Sequence, residues 1–499
     1  MPGANPANRV PDIATGWAKA QPRAAAVIDD RGAWTYSELQ QHIERAALWL
    51  RERGVGPGDR VVLVGDNCRT FLALYLAAAR LDAWPVLLHA NQIPADVERI
   101  RAHADARCVI HVSAAGKGHR AAASAELHEV GELGPVWISS IDPAARPELV
   151  PTDPAERVAA VIYTSGSEGE PKGVMLTNRN LLFTAKVSGD LRRLAPGERM
   201  YAVLPMSHSL GLSVVTLGTL YHGATLRQTS RFDPMAVAGA LEREGISVLI
   251  GMPMMYRLLA EFSRRKGIAR LIAPALRVIS VAGAPLTADV KAEAEALFGL
   301  VLHNGYGITE CSPTISQTRL EAPRRDCSVG PVWPDIEVRI DKSHEEDTGE
   351  VFVRGPNVMK GYYRNPNLTA AVLDRQGWFR TGDLGRIDAH GNLFIAGRAG
   401  ELIIRFGYKV MPAEIEAVLE RHPDVARSAI IAGSGGRDEI IAFIQPAPSR
   451  PVRETDLAAW CAGHLPAQKR PSRFVLVAAL PVTSTGKIRK AELHQMGLR

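Results

Sequence analysis

The sequence predicts an α/β protein in which a large amino-terminal domain of mixed and parallel sheets with flanking helices precedes a small α+β domain. The chain has 499 residues, which is long enough for more than one domain. Near its start, apolar strand-like segments at residues 61–64 and 85–88 lie on either side of an apolar helix at residues 71–81. Such alternation favours a mainly parallel sheet with helices on both faces.

The last hundred or so residues follow a second pattern, which predicts the separate small domain. Short strands are expected at residues 429–432, 440–444 and 474–477, with one helix at residues 456–461. A domain built from so few short elements is small, and its mixture of strands and a helix is of the α+β type.

Composition and charge exclude several classes of function. Hydrophobic residues make up 46% of the chain and charged residues 22%, as in ordinary globular enzymes. The net charge of +6 is small for this length and the arginines are spread along the chain, so no nucleic-acid partner is expected. The longest apolar run, residues 71–79, is far too short to cross a bilayer, so no membrane insertion is expected.

The cysteines and the amino terminus predict a cytoplasmic protein. The five cysteines lie far apart without metal-ligand spacing, which favours reduced thiols. The first residues lack the basic and then apolar pattern of a secretion signal, and we expect residues 1–11 to form a loosely ordered tail. The first amphipathic helix should begin within residues 34–39, because Ser37 and Gln40 have the spacing of a capping box, and it should end at Gly54.

A loop rich in glycine and hydroxyl residues follows the buried strand expected at residues 158–162. Its glycines let the backbone approach an anion closely, its hydroxyls offer donors, and consecutive N–H groups can form an anion nest. Pro171 and Gly173, on either side of Lys172, depart from the G-x-x-x-x-G-K-[ST] nucleotide loop. The residues alone leave two interpretations open, a phosphate-binding loop and a plain turn. The candidate ligand residues are Thr164, Ser165, Gly166, Ser167 and Lys172.

The loop at residues 163–173 resembles the Tyr-Thr-Ser-Gly-Ser/Thr-Thr-Gly-x-Pro-Lys-Gly signature of the adenylate-forming superfamily. This superfamily includes acyl-CoA synthetases, carrier-protein-loading adenylation domains and luciferases. Glu168 departs from the signature, because most members have threonine there. Further matches in the family's order run from Trp34 to Ile488, and one of them, residues 349–356 together with residues 361–363, we interpret as structural. The resemblance implies that the loop binds ATP.

A second motif, Asn-Gly-Tyr-Gly-Ile-Thr-Glu at residues 304–310, resembles the family's Tyr-Gly-x-Thr-Glu element. The resemblance assigns Tyr306 and Gly307 to the nucleotide, and the tyrosine ring offers a face for stacking on adenine. It assigns Thr309 to the α-phosphate. Glu310 offers the hard carboxylate oxygen that Mg²⁺ prefers, and Glu168 is a second candidate for the same ion.

The segment at residues 204–212 resembles the Pro-x-x-His-x-x-Gly element that borders the acid pocket in acyl- and aryl-CoA synthetases. His208 is the candidate catalytic residue there, although a lone histidine also suits the cap of the next helix. Relatives that activate amino acids carry an aspartate in this region to bind the ammonium group. The segment has no acidic residue, which argues against an α-amino acid substrate.

Two segments farther along are candidates for the walls of the same pocket. The loop at residues 282–286 resembles the one over which the family lays adenine and the acyl group, which implicates Gly283 and Ala284. Met252 and Met254 lie where relatives line the acyl pocket, and methionine offers adaptable apolar surface. Packing in an ordinary core explains the two methionines equally well.

The resemblance also divides the chain into domains 1–398 and 399–499. Asp383 follows Thr-Gly at the end of an expected strand, and the family assigns such an aspartate to both ribose hydroxyls. Arg398 belongs to the nucleotide site and marks the domain boundary. Relatives swing the carboxyl-terminal domain about a residue that matches Gly400, and glycine is the residue least restricted in φ and ψ.

The carboxyl-terminal domain contributes two further candidates. In relatives that make thioesters, the glycine that matches Gly407 borders the pantetheine tunnel. Ile404 and Phe406 replace lysines that are common nearby, so cationic help in the thioester step is not expected. Residues 481–488 resemble the family's terminal Pro-x-Thr-x-x-Gly-Lys-Ile, whose lysine, here Lys487, neutralises the substrate carboxylate and the α-phosphate.

The function implied by the resemblance is that of an ATP-dependent carboxylic acid–CoA ligase that uses Mg²⁺. An acyl-adenylate forms with release of pyrophosphate, and the thiol of CoA then takes the acyl group. The acid enters ionised, so the site needs positioning and charge neutralisation rather than a general base. Three alternatives stay open: an acyl ligase that loads a phosphopantetheine carrier protein, an oxygenase of the luciferase type, and a catalytically silent nucleotide-binding protein. The sequence identifies neither the acid nor the oligomeric state.

The substitution Glu168→Thr tests the sharpest departure from the family. Two negative charges about 4 Å apart repel by roughly 4 kcal/mol at an effective dielectric constant near 20, so we hypothesise that Glu168 meets the phosphates through Mg²⁺. The threonine variant should then need more Mg²⁺ for half-maximal ATP–pyrophosphate exchange. An unchanged requirement would mean that Glu168 faces solvent. Tighter ATP binding at every Mg²⁺ concentration would mean simple repulsion and would contradict the metal role.

Overall fold

The computed structural model describes residues 7–114, 125–165, 171–342, 348–405, 408–433, 439–447, 452–482 and 488–497. The chain divides into two compact units. The first comprises residues 1–286, 290–337 and 353–379, and the second comprises residues 287–289, 338–352 and 380–499. The domain boundary at 398/399 that the resemblance implies stays a prediction.

The described residues form 25 strands, most of them short. In chain order they are β1 (Ala25–Asp29), β2 (Gly32–Thr35), β3 (Arg60–Gly65), β4 (Trp84–His89), β5 (Cys108–Val112), β6 (Glu126–Glu129), β7 (Pro135–Ile138), β8 (Val158–Ser165), β9 (Pro171–Thr177), β10 (Arg199–Ala202), β11 (Thr225–Gln228), β12 (Val248–Gly251), β13 (Val278–Val281), β14 (Leu302–Tyr306), β15 (Ser316–Gln317), β16 (Glu337–Asp341), β17 (Gly349–Arg354), β18 (Gly361–Tyr362), β19 (Phe379–Ile387), β20 (Leu393–Arg398), β21 (Ile403–Arg405), β22 (Tyr408–Val410), β23 (Val425–Ala432), β24 (Ile440–Pro446) and β25 (Arg473–Leu476).

Thirteen α-helices connect and cover these strands in the described part of the chain. They are α1 (Asp12–Ala20), α2 (Tyr36–Glu52), α3 (Arg69–Arg80), α4 (Pro94–Ala104), α5 (Asn178–Arg192), α6 (Gly218–Tyr221), α7 (Pro234–Arg243), α8 (Pro253–Arg265), α9 (Ala288–Phe298), α10 (Pro366–Val372), α11 (Pro412–Leu419), α12 (Glu454–His464) and α13 (Lys490–Gly497). A π-helix spans Leu210–Leu217, and 3₁₀ turns lie at Gly131–Leu133, Pro154–Glu156, Thr309–Cys311, Ala399–Glu401 and Ala467–Lys469.

The first unit is built on two eight-stranded sheets. The first sheet has the order β15-β14-β13-β12-β10-β11-β1-β2 and is parallel except for its two outermost pairs. Its register aligns Gly251 with Val281 and Val281 with Asn304. Because parallel strands end at the same edge of a sheet, the loops that follow these three residues leave the sheet side by side, which is where ligands bind in such folds.

The second sheet has the order β18-β9-β8-β4-β3-β5-β7-β6, with a parallel centre and antiparallel edges. All six residues of β3 are buried, and so are residues 70–79 of α3. A strand buried on both faces is typical of a parallel sheet covered by helices. The predicted α/β fold with a large sheet-containing amino-terminal part is therefore confirmed.

The second unit contains three small sheets. They are the four-stranded β16-β17-β19-β20, the two-stranded β21-β22 and the three-stranded β23-β24-β25. Alternating residues of β23 enter different cores: Ile430 packs with Ile415 and Leu457, whereas Ile431 packs with Phe443 and Leu493. The three-stranded sheet is therefore covered on both faces, as the pleat of a strand requires.

Two local predictions are wrong. The capping box of α2 uses Thr35 and Glu38 rather than Ser37 and Gln40, because Thr35 is the extended residue whose hydroxyl accepts from the Glu38 N–H. The amino-terminal segment is not a loose tail from residue 7 onward. Arg9 binds the carboxylate of Asp82, and Val10 is fully buried, so this segment is part of the first unit.

Within the described residues, none of the helices combines the length and the apolar character that crossing a bilayer requires. All five cysteines are free thiols, and four of them are buried. These four are Cys68, Cys108, Cys311 and Cys461.

A half-buried lysine fixes the last helix within the second unit. Lys490 Nζ lies 2.7 Å from Glu401 Oε2 and 2.9 Å from Glu416 Oε1. Burial alone would lower the pKa of Lys490, but the two carboxylates outweigh it and raise the pKa above its ordinary value. Glu416 also accepts a hydrogen bond from the Ile430 N–H, so α13, α11 and β23 share one polar cluster.

The substitution Lys490→Met should destabilise this cluster by about 2 kcal/mol, since it leaves two carboxylates without their cation in a partly buried place. Hydrogen exchange followed by mass spectrometry should show faster exchange in α11 and α13. The matched control is Lys469→Met, which removes a more exposed ion pair with Glu414 and should change exchange little. Equal exchange in the wild type and in Lys490→Met would contradict the structural role.

Candidate active site

The predicted phosphate loop connects the two strands of an antiparallel hairpin. Thr164 on β8 lies opposite Lys172 on β9, and Ser165 lies opposite Pro171. Gly173 has no room for a side chain without adjustment, because a Cβ there would lie 3.1 Å from the Tyr163 ring. The hairpin therefore holds Thr164 and Lys172 side by side. The remaining predicted loop residues, Gly166, Ser167 and Glu168, lie outside the described residues.

The start of the loop is held by a contact that the sequence did not indicate. The Tyr163 hydroxyl lies 2.7 Å from His103 Nδ1, and the two rings meet edge to face. His103 lies on α4, sixty residues before Tyr163. Burial raises the pKa of Tyr163 well above its ordinary value, so the hydroxyl keeps its proton at neutral pH. Tyr163 is thereby fixed at the base of the hairpin.

The second predicted motif forms a tight turn at the end of β14. Gly307 is required there, because a Cβ would lie 1.5 Å from the carbonyl oxygen of Pro313. Tyr306 is the last residue of β14 and accepts a backbone hydrogen bond from Ile315. A 3₁₀ turn at Thr309–Cys311 follows, and it contains both Thr309 and Glu310. The backbone of this turn therefore fixes both candidate catalytic side chains.

Glu310 is oriented by a tyrosine. The Tyr362 hydroxyl donates to Glu310 Oε1 at 2.8 Å, and the Met359 N–H donates to the Glu310 carbonyl at 2.8 Å. Tyr362 lies on β18, which pairs with β9 so that Tyr362 is opposite Val174. This arrangement links Glu310 to the strand that carries Lys172. The interpretation of residues 361–363 as merely structural is therefore incomplete.

Thr309 is linked to the predicted acid-pocket segment. Its Oγ1 lies 3.0 Å from Ser209 Oγ, and Ser209 directly follows His208. The π-helix begins one residue later, and its Gly211 has no space for a side chain, because a Cβ would lie 2.1 Å from the carbonyl oxygen of Pro205. The two motifs, which are a hundred residues apart in sequence, therefore meet.

His208 is neutral at physiological pH. Burial, with a smaller contribution from His89, lowers the pKa of His208 to about 4. Its Nε2 is enclosed and has no hydrogen-bond partner among the residues that the structure describes. A neutral imidazole with an unused nitrogen can exchange a hydrogen bond with a ligand but does not supply a positive charge.

The loop after β13 comes close to Leu210 and Met252, which belong to the two other segments proposed to border the acid pocket. Gly283 has φ of +86°, a conformation that favours glycine, and together with Ala284 it is exposed. A Cβ at Gly283 would lie 3.7 Å from Leu210 and 3.8 Å from Met252. The contact favours the pocket interpretation for Met252. Met254 is half-buried on α8.

The second unit brings two predicted nucleotide residues together. Asp383 and Arg398 are opposite each other on β19 and β20, and Arg398 Nε lies 2.8 Å from Asp383 Oδ1. Asp383 does not end a strand, as the sequence predicted. It lies in the middle of β19, which includes Thr381 and Gly382 before it and continues to Ile387. The aspartate is only 4% exposed, and Arg398 is its counter-ion.

The hairpin of β21 and β22 carries exposed apolar residues. Ile404 is 46% exposed and Tyr408 58% exposed. Gly400 lies in the 3₁₀ turn before β21, and a Cβ there would have no heavy atom of the described residues within 4 Å apart from its own chain neighbours. The predicted residues Phe406, Gly407 and Lys487 lie outside the described part of the chain.

The first unit thus joins four of the predicted residues, Lys172, Glu310, Thr309 and His208, through one series of contacts, here called the contact network. It runs from Lys172 along β9 to Tyr362, from there to Glu310 and Thr309, and on to Ser209 and His208. A hydroxyl, a carboxylate, a cation and a neutral imidazole suit an anionic phosphate and an acid that react without a general base. No group of three or more metal-ligating side chains occurs in the described residues, so Glu310 is a single carboxylate ligand candidate.

Two family models match this chain. Residues 15–363 match the family described as AMP-binding enzyme, and residues 414–487 match the AMP-binding enzyme C-terminal domain. The two matches cover both the contact network of the first unit and most of the carboxyl-terminal residues.

Several curated proteins and solved structures are similar over nearly the whole chain. A feruloyl-CoA synthase of Amycolatopsis sp is 33% identical over 490 residues, which cover 96% of this chain and 97% of that protein. An indoleacetate–CoA ligase of Aromatoleum aromaticum is 31% identical, with 93% of both chains covered. The structure of ATP-bound MatB from Rhodopseudomonas palustris has a TM-score of 0.81 at 26% identity and covers 96% of this chain and 98% of its own.

The protonation of His208 can be measured directly. With a pKa of about 4, roughly 3% of His208 would be protonated at pH 5.5, against about 90% for an ordinary histidine. In ¹³C-edited NMR of histidine-labelled protein, its ring signal should therefore stay constant from pH 8 to pH 5.5. The spectrum of His208→Gln assigns the signal, and His89→Gln should raise the pKa slightly. A midpoint near pH 6.5 would contradict the burial effect.

Proposed function

The chain belongs to the AMP-binding enzyme family, and on that premise we propose how its residues carry out the reaction. The protein is an AMP-forming acid–CoA ligase, as its relatives along the whole chain are. One carboxylate oxygen of the acid bonds to the α-phosphorus of ATP and pyrophosphate leaves. The sulfur of CoA then bonds to the acyl carbon, and AMP leaves.

The observation that carries the proposed residue roles is the contact network around Thr309 and Glu310. Ser209 contacts Thr309 and Tyr362 binds Glu310, so neither of these two side chains has to be ordered when the substrates arrive. Such preorganisation lowers the barrier, because positioning can supply about 7–11 kcal/mol. In this proposal Thr309 binds the α-phosphate, and Lys172 binds the phosphates that leave.

The proposed nucleotide site also uses Tyr306, Gly307, Gly283 and Ala284 for adenine, and Asp383 with Arg398 for the ribose. Asp383 suits this role because its carboxylate is fixed by the ion pair with Arg398, and a carboxylate can accept hydrogen bonds from two hydroxyls. Lys487 neutralises the acid and the α-phosphate, and Gly407 borders the path of the CoA thiol. These last two roles rest on the sequence motifs.

Mg²⁺ fits the residues of the first unit. Glu310 presents a carboxylate whose direction is set by Tyr362, and Mg²⁺ usually takes one or two carboxylates together with phosphate oxygens. Glu168 is the second proposed ligand. When bound, the ion would neutralise charge on the phosphates. Tyr362 would keep the Glu310 carboxylate aimed whether or not the ion is present.

The proposed acid has no α-amino group, because residues 204–212 contain no acidic side chain to bind an ammonium. Leu210 and Met252 next to Gly283 offer apolar surface beside the reacting end. Feruloyl-CoA synthase and indoleacetate–CoA ligase are named for aromatic acids, which supports an acid of that general kind. The proposed compartment is the cytoplasm, where free thiols such as the five cysteines persist.

A carrier protein with a phosphopantetheine arm is the second candidate acceptor, since the sequence motifs are the same for both. The exposed apolar residues Ile404 and Tyr408 lie on the hairpin that the family places beside the pantetheine. Turnover with free CoA alone favours the ligase, whereas turnover only with a carrier favours the alternative.

ATP–pyrophosphate exchange across a panel of acids, followed by mass spectrometry of CoA esters, tests the proposed function. We expect exchange with simple aromatic or aliphatic acids and none with α-amino acids. Lys487→Ala should lose exchange but still form thioester from synthetic acyl-adenylate, because only the first step needs that charge. Lys490→Arg, which keeps the charge of a nearby structural residue, is the matched control.

Three outcomes would overturn this proposal or part of it. Exchange with α-amino acids only would refute the acid class. Equal loss of both half-reactions in Lys487→Ala would refute the role of that lysine. A lack of pyrophosphate release with every acid would favour a nucleotide-binding protein without catalysis.

A further inference from the structure

A buried asparagine joins the two sheets of the first unit. Asn67 lies two residues after the end of β3, in the second sheet, and is 5% exposed. Its Nδ2 donates to the carbonyl oxygen of Leu204 at 2.9 Å and to that of Ala202 at 3.3 Å. Its Oδ1 accepts from the Met206 N–H at 2.8 Å. All three partners belong to the first sheet or to the segment that leaves it, because Ala202 is the last residue of β10.

These hydrogen bonds fix the backbone directly before His208. Leu204 and Met206 flank Pro205, so Asn67 binds the chain on both sides of the proline. Proline has no N–H, and the asparagine amide supplies the pairing that a neighbouring strand cannot complete there. The Pro205 carbonyl accepts from the His208 N–H at 3.0 Å, which closes a turn over residues 205–208. The backbone of His208 is thus held by a turn that Asn67 positions.

The edge of the second sheet at which Asn67 lies also faces the imidazole of His208. Gly65 and His89 are paired on the parallel strands β3 and β4, so both strands end at this edge. Positive charge on His89 acts against protonation of His208, which requires the two rings to be near each other. The proposed acid segment therefore lies against the carboxyl ends of β3 and β4, where ligands bind in such sheets.

The predicted phosphate hairpin belongs to the same sheet as Asn67. β8 pairs with β4 and β4 pairs with β3, so Thr164 and Lys172 are joined to Asn67 through neighbouring strands. His208, in contrast, follows β10 of the other sheet. In the proposed reaction the acid beside His208 attacks ATP bound beside Lys172, and a misplacement of about 1 Å can cost roughly a hundredfold in rate. A contact that ties the acid segment to the sheet of the hairpin therefore bears on the reaction rate.

We propose that Asn67 is a positioning residue for the acid: it holds the turn at residues 204–208 against the second sheet, and so sets the separation between the acid beside His208 and the phosphates of ATP. Asn67 acts through this turn and not on the acid itself. This inference rests on the proposed acid–CoA ligase function and adds a residue to its machinery.

The substitution Asn67→Leu keeps a similar side-chain volume and removes the three hydrogen bonds. In ATP–pyrophosphate exchange, kcat/KM for the acid should fall at least about tenfold while KM for ATP changes by less than about twofold, because only the acid is misplaced. The ring signal of His208 in the histidine-labelled protein should also shift. A rise in KM for ATP as large as the loss for the acid would contradict the positioning role.

The matched control is Asn178→Leu. Asn178 is 3% exposed and also binds backbone, since its Oδ1 accepts from the Val10 N–H and its Nδ2 donates to the Pro154 carbonyl, both at 2.9 Å. Its partners belong to the amino-terminal segment and to a 3₁₀ turn, and not to the acid segment. Asn178→Leu should lower the thermal stability while kcat/KM for the acid and the His208 signal stay unchanged.

A second substitution, Asn67→Asp, tests the hydrogen bonds themselves and decides the matter if Asn67→Leu does not fold. The ionised carboxylate accepts from the Met206 N–H but cannot donate to the Leu204 carbonyl, whereas the protonated carboxyl can do both. Burial and the facing carbonyl oxygens raise the pKa of this carboxyl, so the lost hydrogen bond returns as the pH falls. The ratio of kcat/KM in Asn67→Asp to that of the wild type should therefore increase from pH 8 to pH 5.5, and the same ratio for Asn178→Asp should stay constant.

Unchanged kcat/KM for the acid in folded Asn67→Leu would overturn the inference and leave the ligase function intact. A ratio for Asn67→Asp that does not depend on pH would also overturn it. Losses of kcat/KM in Asn178→Leu equal to those in Asn67→Leu would mean that both asparagines serve the fold alone. Absence of exchange with every acid in the wild type would refute the ligase function itself and this inference with it.

Discussion

The hydrogen bond from Tyr362 to Glu310 is the contact on which the arrangement of the first unit depends. Tyr362 belongs to a strand of only two residues, and that strand is positioned by pairing with β9. The carboxylate of Glu310 and the side chain of Lys172, from distant parts of the chain, are thus aligned by the register of one strand pair, β18 with β9. A slip of β9 by one residue would turn Lys172 to the other face of the sheet and move Glu310 at the same time.

The fold was largely predictable because its signals are local. Apolar runs and their spacing indicated β3, α3 and β4, and short alternating segments indicated the three-stranded sheet of the second unit. The errors occurred where several local patterns compete. Thr35 and Ser37 both resemble a helix cap, and only the backbone conformation, extended at Thr35, decides between them. Likewise, polar residues near the amino terminus gave no sign that Val10 is buried.

The site was predictable only in part. The motifs indicated Thr164, Lys172, Thr309 and Glu310, because those residues lie in short patterns with a physical meaning. The side chains that hold them are encoded far away: His103 binds Tyr163, and Ser209 binds Thr309 across a hundred residues. No periodicity or spacing links such pairs.

The π-helix at Leu210–Leu217 is a place where the chain can change length. In a π-helix each backbone hydrogen bond spans one residue more than the usual i to i+4 bond of an α-helix. Loss of one residue from the segment is therefore absorbed when its bonds tighten to the α-helical span, and the elements that follow keep their register. A change of length here acts on the packing between this segment and α5, where Ser188 binds the Val214 carbonyl, rather than on the whole sheet.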